Sequence, residues 1–414
     1  MRQAGRKAGA LLVVAGAIFL IVNLIRSVDN DTDEAGERSY VGSATCQSCH
    51  QDIYDRWQDT LMANILVAPS ERPEVVLGDF SVPDPLVTFT LDDVAFTHGS
   101  KWKQRYFTRA GDDYAVLPAE WDVTNRAWRR YYPEPGMEWW TDHYPEDPML
   151  RPTGPLCDGC HSTNYDIGTR EVTEWNVGCE KCHGAGSAHL ERPGQRNIVN
   201  PARLDLVRGV DVCIQCHSQG QPLANPIDGV YYDWPVGYQP GDRLSDFWRL
   251  EEHLLGEETF THWPEGSAHK NRMQGNDFVM SAMYTADVGC WGCHDVHGTE
   301  HDADLIAPAD TNETCLACHG PGRPEGPAGT LEEHTRHRAD GEGSLCVGCH
   351  MPKTARTIAD VRVRSHTFRF VTPAMTGAYG IPNGCTSCHT DRTNEWAREA
   401  LLGWDNLSPW RVAR

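Results

Sequence analysis

All sixteen cysteines of the chain belong to eight Cys-x-x-Cys-His pentads, and none is left over. Cysteines at positions i and i+3 lie on one side of a helical turn, so both thiols can bond to the two vinyl groups of one porphyrin. The histidine that follows can then bind the iron. This spacing is the signature of covalent attachment of heme c. The pentads are Cys46/Cys49/His50, Cys157/Cys160/His161, Cys179/Cys182/His183, Cys213/Cys216/His217, Cys290/Cys293/His294, Cys315/Cys318/His319, Cys346/Cys349/His350 and Cys385/Cys388/His389.

Three other uses of paired cysteines fit the sequence less well. Zinc ribbons combine two Cys-x-x-Cys units, but their four ligands do not require a histidine after each second cysteine. A thioredoxin-like dithiol needs one or two motifs on a βαβ unit, which the sequence does not provide. A disulfide framework has no use for the histidines. The pentads therefore predict eight covalently attached hemes.

Eight hemes need up to eight further axial ligands, and eleven histidines lie outside the pentads. This supply favours six-coordinate, bis-histidine hemes of low potential, which suit electron transfer better than substrate binding. The candidates in the tightest local contexts are His189, His297, His334, His337 and His366. His143 and His269 are weaker candidates, and the sequence does not pair any of them with a particular heme.

The elements that position these residues must be small. The last seven motifs fall between residues 157 and 389, so each interval leaves room for a binding turn, a short helix and a connection. Only 40% of the residues are hydrophobic, with 38 Gly and 26 Pro, so the cofactors must supply much of the core. We therefore predict a mainly α fold with many irregular loops, organised over residues 40–405 around eight closely packed hemes, with a C-terminal tail at 406–414. A helix over Asn394–Trp404 should pack on the last heme.

The long interval between the first and second motifs differs from the others. Three runs in it have strand character and are separated by turn residues, namely Leu86–Leu91, Gln104–Thr108 and Asp113–Leu117. We expect a small antiparallel β insert over residues 80–135. It would serve as a structural brace or as a surface that covers the first heme.

The N-terminus has the pattern of an export or anchor segment over residues 1–28. Arg2, Arg6 and Lys7 precede an uncharged stretch from Ala8 to Ile25, and no small-x-small cleavage site follows. An uncleaved anchor would leave the basic end in the cytoplasm and place the rest on the periplasmic side of the inner membrane. If the segment is cleaved, the protein is periplasmic or extracellular. The acidic residues 29–39 then form a solvated linker.

The chain is strongly acidic, with a formal net charge of -21. Such a surface repels nucleic acid. Redox partner proteins with basic docking patches would be attracted to it, because complementary fields speed encounter. The same acidity can also serve only to keep the protein soluble.

Sequences around four pentads carry a family resemblance. These segments are Tyr40–His50 with Trp57 downstream, Val177–His189, Gly289–Gly298 and Ile381–His389. They resemble the multiheme cytochrome family that includes the tetraheme cytochrome of ammonia oxidisers, a group related in heme arrangement to hydroxylamine oxidoreductase and pentaheme nitrite reductase. The resemblance covers residues 40–405 and implies electron transfer.

The chain departs from this family at two ligand positions. Relatives commonly place a distal histidine where Met62 stands, and another where Met283 stands before the fifth pentad. Our hypothesis is that both methionines are thioether ligands of higher-potential hemes. The alternative is that they fill the core, as adaptable methionines often do.

Three functions remain open at this stage. The first is an anchored or periplasmic electron carrier of a respiratory chain, which the eight histidine-terminated pentads favour. The second is an oxidoreductase that acts on a small nitrogen or sulfur compound at one open heme. The related enzymes use a Cys-x-x-Cys-Lys heme or a tyrosine after the last motif, and this chain has neither. The third is a subunit of a heme filament.

Overall fold

The computed structural model describes residues 38–131, 138–320, 322–324, 326, 329–405 and 407–412. The predicted anchor at 1–28 and most of the acidic linker lie outside these residues. Among the helices of the described part, none has both the length and the apolar character needed to cross a bilayer.

A six-stranded antiparallel sheet separates the first two motifs along the chain. Its strand order is β1-β2-β3-β5-β6, with β4 paired to the free part of β3. Aromatic side chains pack beneath it, and Tyr106 and Phe107 of β3 are almost fully buried. The strands are β1 Leu66–Val67, β2 Phe96–His98, β3 Lys103–Ala110, β4 Asp113–Val116, β5 Ala119–Asp122 and β6 Ala127–Arg130.

The predicted antiparallel sheet is therefore present, but one of its predicted strands is wrong. Leu86–Leu91 forms turns, because Asp84 accepts hydrogen bonds from the backbone that follows it and a capping box between Thr90 and Asp93 starts a 3-10 turn. Leu86, Val87 and Phe89 of this run pack in the aromatic core, whereas Leu91 is exposed, and none of them pairs with a strand. The sheet begins at Leu66, before residue 80.

Three two-stranded sheets lie in the motif region and were not expected from the sequence. β7 pairs with β8, β9 with β10, and β11 with β12, all antiparallel. They lie at Ser162–Tyr165 with Val172–Trp175, Gly220–Pro222 with Trp248–Leu250, and Lys353–Ile358 with Val361–Arg364.

The helices are short, as expected for a chain whose intervals between motifs are short. Among the described residues no α-helix is longer than nine residues. The α-helices are Ser43–Cys46, Gln51–Trp57, Gly159–His161, Cys179–His183, Ser187–Glu191, Leu206–Ile214, Gln274–Val279, Ala282–Thr285, Glu313–His319, Leu331–Thr335, Cys346–His350, Pro373–Tyr379, Gly384–Cys388, Asn394–Leu402 and Pro409–Val412. Single 3-10 turns lie at Pro73–Val75, Leu91–Asp93, Trp139–His143, Pro148–Leu150, Pro201–Arg203, Leu244–Asp246, Cys290–Gly292, Asp302–Asp304 and Glu342–Ser344, and a π turn lies at Gly154–Asp158.

The predicted C-terminal helix is confirmed, and it ends at Leu402. Ala397 and Leu401 on one face are buried. The Trp396 ring lies 4.9 Å from the ring of His389, the histidine of the eighth motif. The helix therefore packs where the sequence placed it.

Candidate heme-binding cavity

One large cavity, partly open to solvent, runs through the motif region. Its volume is about 3110 Å³, several times the roughly 300–1,000 Å³ of a pocket for a single small ligand. Cysteines or histidines of the first seven motifs line it. A cavity of this size, walled by attachment residues, fits several large planar cofactors packed together.

Short helical turns present most of the cysteine pairs. In the third motif, Cys179–His183 forms one helix, and in the seventh Cys346–His350 does the same. One helical turn places both thiols on the same side, as attachment to a single porphyrin requires. The geometry inferred from the spacing is thus present locally.

Two carboxylates, the buried Glu180 and the half-buried Glu174, hold the first motif against the third. Glu180 is almost fully buried and accepts hydrogen bonds from the backbone N–H groups of Val41, Gly42 and Gly186 at 2.7–3.0 Å. Glu174 accepts from the backbone and hydroxyl of Ser43. Charge-assisted bonds of this kind fix the relative position of two neighbouring attachment sites.

Four pairs of histidine rings face each other across a gap. Each pair joins a motif histidine to one of the histidines predicted as a distal ligand. Ring centroids are 6.1–6.3 Å apart and the ring planes lie within 29° of parallel. The pairs are His50 with His189, His183 with His297, His350 with His334, and His389 with His337.

The 6.1–6.3 Å separation of these ring centroids can be compared with the distance expected for two imidazoles that bind one iron from opposite sides. With metal–nitrogen bonds of about 2 Å and ring centres about 1 Å behind the nitrogens, an iron between two opposed imidazoles would hold their centroids about 6 Å apart. Direct stacking would bring the rings closer together, as in the 3.7 Å contact of His143 with Tyr231. The four pairs therefore have the spacing of bis-histidine heme ligands.

Backbone carbonyls orient several of these rings. The Nδ1 atoms of His183, His189 and His337 lie within hydrogen-bond distance of the carbonyls of Val199, Gly194 and Thr335, respectively. His294 is held in the same way by Ala303. A bond at Nδ1 fixes the tautomer and leaves Nε2 free to bind a metal, as is common for metal-ligating histidines.

His161 of the second motif is different. Its Nε2 lies 3.4 Å from Nε2 of His98, but the centroids are only 4.4 Å apart and the rings are tilted by 54°. The two rings are therefore not opposed across a metal position. The Nδ1 atom of His161 is buried and has no hydrogen-bond partner. His98 was not among the stronger candidates in the sequence, because it lies in a strand far along the chain from the motif it meets.

The remaining predicted ligands lie in varied surroundings. His366 lies within electrostatic range of His294 and His217, and its Nδ1 lies 3.3 Å from the Arg364 carbonyl oxygen. His269 lines the cavity beside Trp263, and its Nε2 is buried without a partner.

Three further candidates have other neighbours. His143 stacks on Tyr231. Met62 lines the cavity. Met283 also lines it and packs in an apolar cluster that includes Phe278. Iron binding by His143, Met62 and Met283 remains a prediction.

Contacts between motifs show which attachment sites are neighbours in space, and this spatial order cannot be read from the sequence. The first motif contacts the third, where the backbone N–H of Cys179 donates to Ser43. The third contacts the fourth through Gln215 and the Lys181 carbonyl. The fourth contacts the fifth, with the Cys213 and Cys290 thiols in hydrogen-bond contact.

These contacts continue as one line of neighbouring attachment sites from the fifth motif to the eighth. Cys293 of the fifth motif lies within electrostatic range of both cysteines of the sixth. The thiols of Cys315 and Cys346 join the sixth to the seventh. The Gly348 carbonyl of the seventh packs against Gly384, directly before the eighth. The order is therefore 1–3–4–5–6–7–8.

The second motif stands beside this line as a branch. The Cys160 and Cys216 thiols each lie 3.8–3.9 Å from a carbonyl oxygen of the other motif, which places the second motif against the fourth. The second motif also contacts the third, because the Lys181 side chain donates a hydrogen bond to the Gly159 carbonyl. Its first cysteine, Cys157, sits in the π turn Gly154–Asp158 and not in an α-helix. Turns of this type are rare and often occur at functional sites.

Charged side chains surround the second motif. Arg105 pairs with Glu120 at 2.9 Å and Arg272 with Asp233 at 3.0 Å. The half-buried Lys103 lines the cavity and donates to the Thr357 carbonyl at 3.0 Å.

The buried surroundings of the second motif, with its neighbouring arginines, disfavour the protonated forms of Lys103 and His161. Burial, reinforced by Arg105, lowers the pKa of Lys103 to about 7. Burial and Arg272 lower the pKa of His161 to about 3. The neutral imidazole of His161 is the form that binds a metal.

Comparisons with known proteins agree with heme attachment at the Cys-x-x-Cys-His motifs. Residues 284–324 match the family model of a doubled CXXCH motif, and residues 142–184 match that of cytochrome c554 and c-prime. The multiheme cytochrome MtrA of Shewanella baltica (strain OS185) is 24% identical over 148 residues, which cover 34% of this chain and 41% of that protein. The chain thus spans less than half the length of this curated relative.

The fold has a solved counterpart. The crystal structure of outer cell wall cytochrome OcwA superposes with a TM-score of 0.70 at 23% identity, covering 89% of this chain and 87% of that one. An undecaheme cytochrome from the S-layer of Carboxydothermus ferrireducens gives a TM-score of 0.49 at 17% identity, covering 91% of this chain and 60% of that one.

Proposed function

We propose, from the premise that this chain is a multiheme c-type cytochrome, that it holds eight covalently attached hemes and conducts electrons along the line of motifs. The observation that carries the proposal is the continuous sequence of neighbouring attachment sites from the first motif to the eighth. Adjacent cofactors in near contact are what electron hopping requires. Bound heme supplies the one-electron chemistry.

The chain's own residues set the properties of each site. The paired cysteines would hold the cofactor, and at four sites two facing histidines such as His50 and His189 would both bind its iron. Occupied axial positions favour electron transfer over substrate binding. The carbonyl-bound Nδ1 atoms keep these ligands oriented.

The cellular setting belongs to the same proposal. Covalent heme attachment and the N-terminal segment 1–28 favour a position on the periplasmic side of the inner membrane, or outside the cytoplasm if that segment is cleaved. The net charge of -21 favours redox partners with basic docking patches. The narrower kinship with the tetraheme cytochrome of ammonia oxidisers is supported by the sequences flanking four motifs.

Two measurements test the proposal. The mass of the mature polypeptide and its pyridine hemochrome absorbance should both give eight hemes per chain. A count well below eight in fully matured protein would contradict the proposal.

Conduction is tested by removing single hemes. A photoreductant is tethered at the exposed position 52 through Asp52→Cys, beside the first motif. Replacing Cys290 and Cys293 by serine removes a link in the line, so fast reduction should stop at the hemes before it. The matched control replaces Cys157 and Cys160, which removes only the branch and should leave fast reduction of all the other hemes. Equal behaviour of the two variants would refute the proposed path.

A further inference from the structure

The second, third and fourth motifs meet through the residue that precedes the second cysteine of each pentad. These residues are Gly159, Lys181 and Gln215. The Lys181 ammonium donates a hydrogen bond to the Gly159 carbonyl, and the Lys181 carbonyl accepts one from the Gln215 side chain at 3.4 Å. The Gln215 carbonyl oxygen in turn lies 3.8 Å from the Cys160 sulfur. We call this three-way contact the junction.

Packing around the junction fixes its backbone. Gly159 lies against the Trp234 ring so closely that a Cβ atom there would be only 1.9 Å from the ring. Gln215 is buried, and its side chain also donates to a carbonyl of its own helix at 2.9 Å. Lys181 directly follows Glu180, whose buried carboxylate is bonded to the backbone of the first motif. The Lys181 ammonium is therefore held at a defined place between the second and third motifs.

Lys181 brings a positive charge to the junction. The residue is half-buried and lines the cavity. Its hydrogen bond goes to a neutral carbonyl, and it forms no ion pair with another described residue. Arg105 and Arg272, the arginines beside the second motif, are by contrast each paired with a carboxylate. Within the described chain, no carboxylate at ion-pair distance offsets the charge of Lys181.

A positive charge beside a redox cofactor favours the reduced form of that cofactor. Reduction adds one negative charge, and an ammonium group attracts this charge strongly where water is partly excluded. At an effective dielectric constant of about 20, one nearby unit charge favours the reduced form about tenfold. For a one-electron couple, a tenfold change corresponds to about 59 mV. Because Lys181 lies where three attachment sites meet, its charge acts on all three.

We propose that Lys181 raises the reduction potential of the hemes at the second, third and fourth motifs, so that electrons on the line collect at the junction. This inference rests on the proposed heme attachment. Electrons that enter from either end of the line reach the third and fourth motifs. The second motif shares these electrons, because it contacts both of them. It thus adds storage to the line without interrupting transport.

Lys181→Met removes the charge and keeps the length of the side chain. Spectroelectrochemical titration of the purified holoprotein follows the reduction of all its hemes. In this variant the one-electron equilibria of three hemes should shift about tenfold towards the oxidised form, which lowers their potentials by about 59 mV. In protein that also has Cys157 and Cys160 replaced by serine, only two hemes should shift. A titration curve of Lys181→Met that coincides with the native curve would overturn the proposal.

Two further variants separate the charge of Lys181 from its hydrogen bond. Lys181→Arg keeps the positive charge and should titrate within about twofold of the native protein. A shift in Lys181→Arg as large as that in Lys181→Met would show that charge is not the cause. The control Arg338→Met removes a positive charge whose side chain is 82% exposed, and screening by solvent should keep its shift within about twofold. An equal shift in this control would also overturn the assignment to Lys181.

The heme count keeps this inference separate from the proposed function. If Lys181→Met matures with fewer hemes than the native protein, Lys181→Gln takes its place in the titration, because its amide can still donate to a carbonyl. A native protein with well below eight hemes by pyridine hemochrome would contradict the proposed heme attachment. A native count of eight, with potentials that do not respond to the charge at position 181, would contradict the role of Lys181 alone.

Discussion

Asp158, between the two cysteines of the second motif, offers a quantitative test of the structure. Its side chain is almost fully buried, and one carboxyl oxygen accepts a hydrogen bond from Thr153 at 2.9 Å. The other oxygen, Oδ1, has no partner. Burial, with a contribution from nearby Asp113, raises the pKa of Asp158 from 3.8 to about 7.

Because the pKa of Asp158 is raised in the folded protein, the direction in which stability changes with pH can be worked out. The folded protein binds the Asp158 proton more tightly than the unfolded chain does, so ionisation opposes folding. Stability should fall as pH rises from about 4 to about 7, and should not change further from this source above that range. A pKa about 3 above its ordinary value corresponds to about 4 kcal/mol.

The perturbation is Asp158→Asn, which keeps the shape but removes the titration. An amide can still accept from Thr153, and it carries no charge that burial penalises. The unfolding free energy of the variant relative to the native protein should therefore increase by up to about 4 kcal/mol between pH 4 and pH 8. Urea unfolding followed by far-ultraviolet circular dichroism at each pH measures this difference.

The control is Asp391→Asn, which changes a carboxylate whose side chain is 74% exposed. Its effect should stay within about 0.5 kcal/mol at all pH values. A difference between Asp158→Asn and the native protein that does not vary with pH would refute the reasoning. The conclusion that this carboxyl group is buried and only half satisfied would then have to be abandoned.

Two further predictions concern how sites are positioned and liganded. Glu180→Ala leaves three backbone N–H groups without their acceptor and should lower the unfolding free energy by about 3 kcal/mol. Glu191 is exposed, so the control variant Glu191→Ala should change this free energy by less than about 0.5 kcal/mol. Equal effects of the two variants in urea unfolding would show that Glu180 does not join the first and third motifs. His337→Ala should leave the heme at His389 without an opposed imidazole, so that one additional heme binds carbon monoxide in the reduced protein. His301→Ala is the control and should bind no more carbon monoxide than the native protein, and an unchanged His337→Ala variant would contradict the assignment of this pair.

Local chemistry is what the sequence predicted best. Attachment depends on residues within five positions, so the spacing of Cys179, Cys182 and His183 already specified one cofactor site. The helix that carries Trp396 was also predictable, because its apolar positions repeat at helical spacing. Leu86–Leu91 shows the limit of such reasoning, because its apolar residues reach the aromatic core from turns and not from a strand, and Asp84 stabilises one of these turns.

Relationships between distant segments were decided only by the tertiary structure. The sequence provided enough histidines but could not show that His189 faces His50, or that His98 meets His161 at an angle, because such contacts depend on how the sheet and the short helices pack together. The order of the motifs, with the second lying against both the third and the fourth, has the same origin. The sequence by itself thus determined what each motif can bind, while the packing of the whole chain decided which motifs are neighbours and which histidine rings face each other.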